Sequence, residues 1–234
     1  MSTFTHSGDL GDIIYALPAI RASGGGELLL FEMAARTTTP MTPQRSDLIR
    51  PLLALQPYLR GCRWVDGVPH DHALNGFRDH ARVDRNLADM HLATLDLGSE
   101  HRKVRWLEVD EPVRTPYRVV IHRSLRYLNP LFPWRRVLKL YANDVVMLGT
   151  PEEHRVFTRR YGEVPYLPTA NLLEAARLIA GASLFIGNQS SLAAIAEGLK
   201  HRMVLEVCPK LPNCIFERME RINAWDDRVE LPAP

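Results

Sequence analysis

Two Gly-Asp pairs lie in the turn that joins the first apolar segment to a helix, within "SGDLGDIIYALPAI" (residues 7–20). A carboxylate within hydrogen-bond reach of a substrate hydroxyl can take its proton while that hydroxyl attacks. Either Asp9 or Asp12 could do this, and either could instead cap the helix, as Asp commonly does. The turn is not predicted to hold a phosphate, because its acids would repel one and it matches neither a P-loop nor a dinucleotide fingerprint.

The stretch "GNQSSLAAIAEGL" (187–199) is the clearest candidate for a phosphate site. Gly187 closes an apolar strand, and Ser190 or Ser191 can cap the helix that follows. The unpaired amides of a first helical turn, together with two hydroxyls, suit a phosphate group. The alternative is a helix cap with no ligand.

Two further loops carry groups that suit a nucleotide. In "GTPEEH" (149–154), Glu152 and Glu153 either serve only as acids favoured at a helix start or accept hydrogen bonds from ribose hydroxyls. In "IHRSLRYLNP" (121–130), Arg123 and Arg126 carry planar guanidinium groups that match phosphate oxygens. The alternative for these arginines is a solvated surface loop.

Alternating strands and helices must position these loops. In the first half we predict strands at 2–7, at 27–33 after a glycine turn, and at 62–67. Helices are predicted at 11–23 and 48–59, the second capped by Ser46 or Asp47, while 70–98 shows no clear period. Pro18 is expected to kink the first helix. In the second half five strands alternate with four helices, the pattern of a doubly wound α/β domain. The strands are predicted at 117–122, 144–150, 164–168, 183–187 and 201–207, and the helices at 133–141, 151–162, 171–182 and 190–200.

The length of 234 residues permits two small domains, 1–115 and 116–234, joined near "EPVRTP" (111–116). We expect an α/β fold of two Rossmann-like doubly wound domains that face one another across a cleft. Ligands in such sheets bind at the carboxyl ends of the strands. The loops named above all follow predicted strands, so they are the candidate site.

Composition excludes several classes of function. Twenty-nine basic and 27 acidic residues give a formal net charge of +2, which predicts no strong non-specific attraction to nucleic acid or anionic membrane. Three cysteines fit neither a disulfide framework nor a metal site and indicate ordinary thiols in a reducing compartment. No apolar run is long enough to span a membrane, so we expect a soluble, cytoplasmic protein. An α/β-hydrolase triad is disfavoured because no Gly-x-Ser-x-Gly follows a strand.

Three stretches together resemble glycosyltransferase family 9, the ADP-heptose:lipopolysaccharide heptosyltransferase-like enzymes of GT-B architecture. They are "GDIIYALPAI", "VVMLGTPEEH" and "LLEAARLIAGASLFIGNQSSLAAIAEGL". The resemblance implies inverting transfer of a sugar from a nucleotide diphosphate sugar, usually without a metal. It implies that the N-terminal domain holds the acceptor, with Asp12 rather than Asp9 as the general base, and that the C-terminal domain holds most of the donor.

The resemblance also implies a set of donor contacts. Glu152 or Glu153 would contact the ribose, and Arg123 and Arg126 would neutralise the diphosphate. The expected donor-binding residues are Gly11, Arg123, Arg126, Thr150, Glu152, Glu153, Asn188, Gln189, Ser190 and Ser191. No resident cofactor or metal is expected, and the nucleotide sugar is the co-substrate.

The chain departs from the family at one motif. Where the family usually has Asp-x-Gly-x-x-His, this sequence has "NQSSLAA", so the resemblance does not predict the sugar. The chain is also short for this architecture, and compact enzymes of this kind occur among bacteriophages. The acceptor is therefore either a glycan or a hydroxymethylated base in DNA, and the Arg123–Arg136 segment could hold a short stretch of DNA backbone. The remaining alternative is a nucleotide- or sugar-binding module without catalysis.

Overall fold

The computed structural model of the protein describes residues 2–33, 40–69, 73–82 and 84–234. The chain divides into two compact units. Unit 1 comprises Met1–Asp110 with Asn171–Leu173, and unit 2 comprises Glu111–Ala170 with Glu174–Pro234. The main division falls beside the proline-flanked segment 111–116.

Unit 1 is built on a three-stranded parallel sheet in the order β1-β2-β3. Its elements, in chain order, are β1 (Thr3–His6), α1 (Leu10–Ala22), β2 (Gly26–Leu30), α2 (Pro43–Ala54), β3 (Leu59–Trp64), a 3₁₀ segment (Ala73–His80), α3 (Leu87–Ala93) and a second 3₁₀ segment (Ser99–Arg102). The β1–α1–β2 unit matches the prediction from sequence. Helix α1 packs against α3, and all of its residues from Asp12 to Ile20 are buried, including Pro18.

Helix α2 begins five residues before its predicted start at 48. Thr42 is the N-cap residue, its hydroxyl accepts a hydrogen bond from the Arg45 amide at 3.3 Å, and Pro43 occupies the first helical position. The predicted caps, Ser46 and Asp47, are wrong because both lie inside the helix. Thr-Pro is itself a helix-start signal, since the proline lacks only an amide that has no helical partner. The preceding segment 34–39, part of the predicted loop, lies outside the described residues.

Unit 2 contains a five-stranded parallel sheet in the order β5-β4-β6-β7-β8. The elements are β4 (Val119–His122), α4 (Trp134–Leu140), β5 (Val145–Met147), α5 (Pro151–Tyr161), α6 (Leu172–Gly181), β6 (Leu184–Asn188), α7 (Ser191–Gly198), β7 (Met203–Glu206) and β8 (Arg221–Ala224). All four predicted helices and four of the five predicted strands are confirmed.

The predicted strand at 164–168 is wrong. Only Tyr166 forms an isolated bridge, to Met147. Pro165 and Pro168 lack amide hydrogens, which limits ladder formation in this segment. The fifth strand of the sheet is instead Arg221–Ala224. This four-residue strand is too short and too polar to be recognised from the sequence.

The strand order of unit 2 indicates which edge of its sheet could bind a ligand. The chain runs from β4 outward to β5 and then returns to the other side of β4 with β6, so the strand order reverses between β4 and β6. Open α/β sheets bind ligands at the carboxyl ends of the strands beside such a switch point. Beneath this edge lies an apolar core that includes Ile121, Trp134, Phe157, Ile186 and Val204. No helix in the described part of the chain is both long enough and apolar enough to cross a bilayer.

Candidate functional site

Asp12 is a buried acid in the first turn of α1. Asp9 occupies the N-cap position, and Asp12 is the third helical residue of a capping box. The Oδ2 atom of Asp12 accepts hydrogen bonds from the Asp9 amide at 3.3 Å and from the Arg78 guanidinium at 2.8 Å. The Asp9 carboxylate pairs instead with Arg45 at 3.4 Å. The two acids therefore have different cationic partners, and Asp12 is the more buried of the two.

Burial gives Asp12 an unusual affinity for a proton. Only 9% of its side chain is exposed. Burial raises its pKa from 3.8 to about 6 and the charge of Asp9 adds to this rise, whereas the Arg78 charge and the two hydrogen bonds oppose it. At neutral pH the group is mainly ionised, yet it binds a proton more readily than an ordinary carboxylate. This is the balance that a general base near neutral pH requires.

Arg78 is a site residue that the sequence did not predict. It lies on the 3₁₀ segment Ala73–His80, which packs against β1 and α3. Its guanidinium lies over the Phe77 ring at 4.3 Å, and the Phe77 ring stacks on His91 with 4.1 Å between centroids. No periodicity or motif in 70–98 indicated this element, so the sequence offered no signal that Arg78 reaches Asp12.

A buried histidine pair supports the turn before α1. The Gly8 amide donates to Nδ1 of His6 at 2.9 Å, and Nε2 of His6 lies 2.9 Å from Nε2 of His91. Nδ1 of His91 lies 2.7 Å from the Leu87 carbonyl, which can only accept. These contacts assign one tautomer to each ring, with Nε2–H of His6 donating to His91. Burial lowers the pKa of both, for His91 to about 3, so the pair is neutral.

Gly8 is required by the closeness of its neighbours. A Cβ atom at this position would lie 2.6 Å from Cε1 of His6 and 2.9 Å from Oδ2 of Asp12. The adjacent Ser7 donates from both its amide and its hydroxyl to Oδ1 of Asn75, each at 2.9 Å. The turn is thus fixed on both sides of Gly8. Gly11, predicted to bind the donor, is the second residue of α1 and is partly buried.

In unit 2, Arg123 forms a buried ion pair with Glu206. Its guanidinium donates two hydrogen bonds of 2.9 Å to Glu206, and its side chain is 6% exposed. The fully buried Glu206 carboxylate also accepts from the Asn129 amide at 2.6 Å and from Nε1 of Trp134 at 2.8 Å. This geometry does not support the predicted diphosphate contact, because the guanidinium is buried and two of its nitrogens already donate to Glu206. Arg123 instead fixes the loop after β4.

Asn188 and Gln189 likewise fix loops with their side chains. Asn188 accepts from the Ser124 amide at 2.9 Å and donates to the Ser124 hydroxyl at 2.9 Å. Gln189 accepts from the Cys208 amide at 2.7 Å and donates to the Leu211 carbonyl at 2.8 Å. Both side chains are buried. They therefore shape the edge of the sheet, and their amide groups are occupied by protein partners.

At the switch point, the groups that could contact a ligand lie at the start of α7. Ser190 is the N-cap residue, and its hydroxyl accepts from the Ala193 amide at 3.3 Å. Ser191 is the first helical residue and is partly exposed. Arg126, on the neighbouring loop, is exposed, and its guanidinium lies 5.3 Å from the Tyr127 ring. A helix start with a nearby cation suits an anionic group.

The two predicted ribose contacts have different surroundings. Thr150 caps α5, and its amide donates at 2.7 Å to the Glu153 carboxylate, which completes a capping box. Glu152 is 63% exposed and its nearest ion-pair partner is Arg155 at 3.8 Å. Gly149 lies beside them at φ 130°, where a side chain would be strained. Glu153 is therefore held by the helix start, while Glu152 extends into solvent.

Metal ligands are not clustered in the described ranges. Among those residues, no three His, Cys, Asp or Glu side chains lie together in a way that could hold a metal ion.

Solved structures with the same fold were found by structural comparison. A glycosyl transferase family 9 protein from Veillonella parvula DSM 2008 superposes with a TM-score of 0.59 at 11% identity, covering 87% of this chain and 79% of that one. The Escherichia coli ADP-heptose LPS heptosyltransferase II gives 0.58 at 13% identity, covering 97% and 92%. The chain has the fold of family 9 glycosyltransferases. The E. coli heptosyltransferase WaaC with ADP-2-deoxy-2-fluoro heptose gives 0.53 at 12% identity, covering 87% of each chain.

No protein-family model matches the sequence, and no curated protein matches it. The expected α/β fold and the resemblance to these glycosyltransferase structures are confirmed. Among the described residues of unit 1, Asp12 is a buried acid with raised proton affinity. Unit 2 offers a switch point with a helix start that suits an anionic group and an exposed carboxylate that can accept hydrogen bonds from hydroxyls.

Proposed function

We propose that the protein is a glycosyltransferase that moves a sugar from a nucleotide diphosphate sugar to an acceptor hydroxyl. The observation that carries the proposal is Asp12, a buried carboxylate with a pKa of about 6 at the start of α1, in a fold shared with glycosyltransferases. Asp12 takes the acceptor proton while the acceptor oxygen attacks the anomeric carbon. The bond to the diphosphate breaks, and direct displacement inverts the anomeric configuration.

Unit 2 is proposed to bind the donor. The amides at the start of α7, with Ser190, Ser191 and the Arg126 charge, would stabilise the diphosphate that departs with the bonding electron pair. The loops that surround this site are held by hydrogen bonds from three further side chains, those of Arg123, Asn188 and Gln189. These side chains are proposed to support the site without contacting the donor. The donor class is supported by the solved E. coli heptosyltransferases, one of which is described with an ADP-heptose analogue.

The acceptor is proposed to be a hydroxyl of a glycan. A DNA acceptor would need a basic patch for the phosphate backbone. The segment Arg123–Arg136 offered one in sequence, but the Arg123 charge is buried against Glu206. The Arg135 and Arg136 guanidinium groups donate to the Arg160 and Val229 carbonyls, respectively. Arg123 is therefore not available to the phosphate backbone, and a formal net charge of +2 gives no strong attraction to DNA.

The proposal predicts a specific dependence of turnover on pH. Release of nucleoside diphosphate from a panel of UDP-, GDP- and ADP-sugars should be detected, with and without glycan acceptors. Because Asp12 must be ionised to accept a proton, kcat/KM should fall about tenfold per pH unit below pH ~6 and level off above pH ~7. Thermal shifts measured in parallel report donor binding. Binding without turnover at any pH would identify a non-catalytic module and overturn the proposal.

Glu152 and Glu153 provide a matched test of the ribose contact. Both lie in the first turn of α5, so replacing either with Gln removes the same charge from the same helix end. Glu152→Gln should raise the donor KM about tenfold, the effect of weakening one hydrogen bond to a charged acceptor. Glu153→Gln should leave KM within about twofold, since Gln also completes a capping box. Equal effects of both variants would indicate a general charge effect and exclude a specific contact by Glu152.

A further inference from the structure

We propose that Arg78 is a positioning residue for Asp12, which it keeps ionised and oriented so that Oδ1 is the atom that receives the acceptor proton. The inference rests on the proposed function, in which Asp12 is the general base. It assigns a role to a residue in a part of the sequence that carried no recognisable motif.

The two oxygens of Asp12 are not equivalent. Oδ2 accepts both hydrogen bonds of the carboxylate, from the Arg78 guanidinium and from the Asp9 amide. Oδ1 makes no hydrogen bond to the described residues. It is also not completely shielded from solvent. The pairing with Arg78 therefore fixes the rotation of the carboxylate and leaves Oδ1 as the available acceptor.

Buried aromatic rings hold Arg78 in place although 40% of its side chain is exposed. Its guanidinium lies over Phe77, Phe77 stacks on His91, and His91 contacts His6. Nδ1 of His6 in turn accepts from the Gly8 amide, in the turn that leads to Asp12. Arg78 and the turn are thus linked through one packed cluster. An arginine held in this way loses less conformational entropy when it pairs with a carboxylate than one on a mobile loop.

Among the described residues, Arg78 is the cation in direct contact with Asp12. Asp9, on the same helix, raises the proton affinity of Asp12, but its own carboxylate pairs with Arg45 from α2. His6 on β1 and His91 on α3 are neutral because burial lowers their pKa values. Removing the Arg78 charge leaves burial and Asp9 unopposed by a contacting cation, so the pKa of Asp12 should rise further.

The proton transfer balances without any added reactant. The acceptor O–H bond breaks and its proton binds Oδ1, while the acceptor oxygen forms a bond to the anomeric carbon. The sugar–diphosphate bond breaks and its electron pair leaves with the diphosphate. Protonated Asp12 then releases its proton to solvent, and Arg78 favours this release because its charge stabilises the carboxylate form.

Replacement of Arg78 by Met removes the charge and supplies an unbranched apolar side chain in place of the guanidinium that lies over Phe77. We expect the midpoint of the kcat/KM pH profile to rise by roughly one to two units, the usual effect of losing one adjacent opposite charge. Activity at pH 7 should then fall up to about tenfold and recover near pH 9, whereas Arg78→Lys should retain most of it. Arg45→Met is the matched control, because Arg45 pairs with Asp9, and it should shift the midpoint much less.

A second measurement separates this proposal from the proposed function. Titration of the ¹³C-labelled Asp12 carboxyl by NMR, assigned with Asp12→Asn, needs no substrate. A higher Asp12 pKa in Arg78→Met but not in Arg45→Met supports the role of Arg78 in setting the ionisation of Asp12. This holds even if no sugar donor is turned over, because the absence of turnover would count against the proposed function alone. An unchanged Asp12 titration in Arg78→Met overturns the inference, even in an active enzyme. Arg78→Gln replaces Arg78→Met if a thermal melt shows the latter to be unfolded.

Discussion

Replacing Asp12 with Asn is expected to lower kcat for sugar transfer by roughly 10²–10⁴-fold, the usual contribution of a general base. Asparagine has nearly the same shape and can still accept the Asp9 amide hydrogen bond, so the turn before α1 should keep its conformation. It cannot bind the acceptor proton. Because the donor is assigned to unit 2, nucleotide binding should remain nearly intact, which a thermal-shift titration with nucleoside diphosphates would show.

The same substitution should stabilise the protein at neutral pH. The pKa of Asp12 is about 6 in the folded protein and 3.8 in the unfolded reference. A group whose pKa is raised by folding contributes stability below pH 3.8 and loses it as the pH rises through about 6. Ionisation of this carboxylate therefore costs the native state about 3 kcal/mol at pH 7 and above. The asparagine variant does not bear that cost.

Chemical denaturation of both proteins at pH 4.5 and pH 7.5 checks this expectation. The stability difference in favour of Asp12→Asn should be larger at pH 7.5 than at pH 4.5, because the wild-type cost develops between these values. Asp9→Asn is the matched control: Asp9 lies one helical turn away and pairs with Arg45, so its replacement should leave kcat nearly unchanged. Because the charge of Asp9 raises the pKa of Asp12, Asp9→Asn should lower that pKa and reduce the pH-dependent cost without removing it. An Asp12→Asn protein that retains its rate would remove Asp12 from the mechanism.

The Asp12 region was largely predictable because its signal is local. A Gly-Asp turn between a strand and an apolar helix specifies where an acid must lie, and the structure has this β-turn-α unit with Asp9 as the N-cap residue. The loops after β4, β5 and β6 were also placed correctly, since alternating strands and helices bring the carboxyl ends of parallel strands to one edge. What a local pattern cannot give is the partner of each side chain.

The pairings that define the two sites join residues far apart in sequence. Arg78 meets Asp12 across 66 residues, and Arg123 meets Glu206 across 83. Arginine after a strand looks the same in sequence whether it binds a phosphate or a buried carboxylate, and only the fold distinguishes these cases. The error at 164–168 has a related origin, because a short apolar segment resembles a strand until its prolines are weighed against its neighbours.

Breaking the Arg123–Glu206 pair is expected to destabilise the protein strongly. Glu206→Ala should lower the free energy of unfolding by about 3–5 kcal/mol, because it leaves the Arg123 charge buried without a partner. The Asn129 amide and Nε1 of Trp134 would lose their acceptor as well. Removing both charges with Arg123→Met and Glu206→Leu should cost less than Glu206→Ala alone, since a buried pair can be replaced by apolar side chains at a smaller cost. Denaturant unfolding of these variants, compared with Arg123→Met alone, measures the coupling.

This comparison also decides between the two roles of Arg123. If Arg123 contacted the diphosphate directly, Arg123→Met would weaken nucleotide binding while leaving stability nearly unchanged. If it fixes the loop after β4, Arg123→Met should destabilise the protein, since Glu206 then lies fully buried without its cation. The double variant should in that case recover nucleotide binding together with stability, because the loop needs a packed core beneath it rather than a charge facing the donor. Binding lost in a stably folded double variant would restore Arg123 to the donor site.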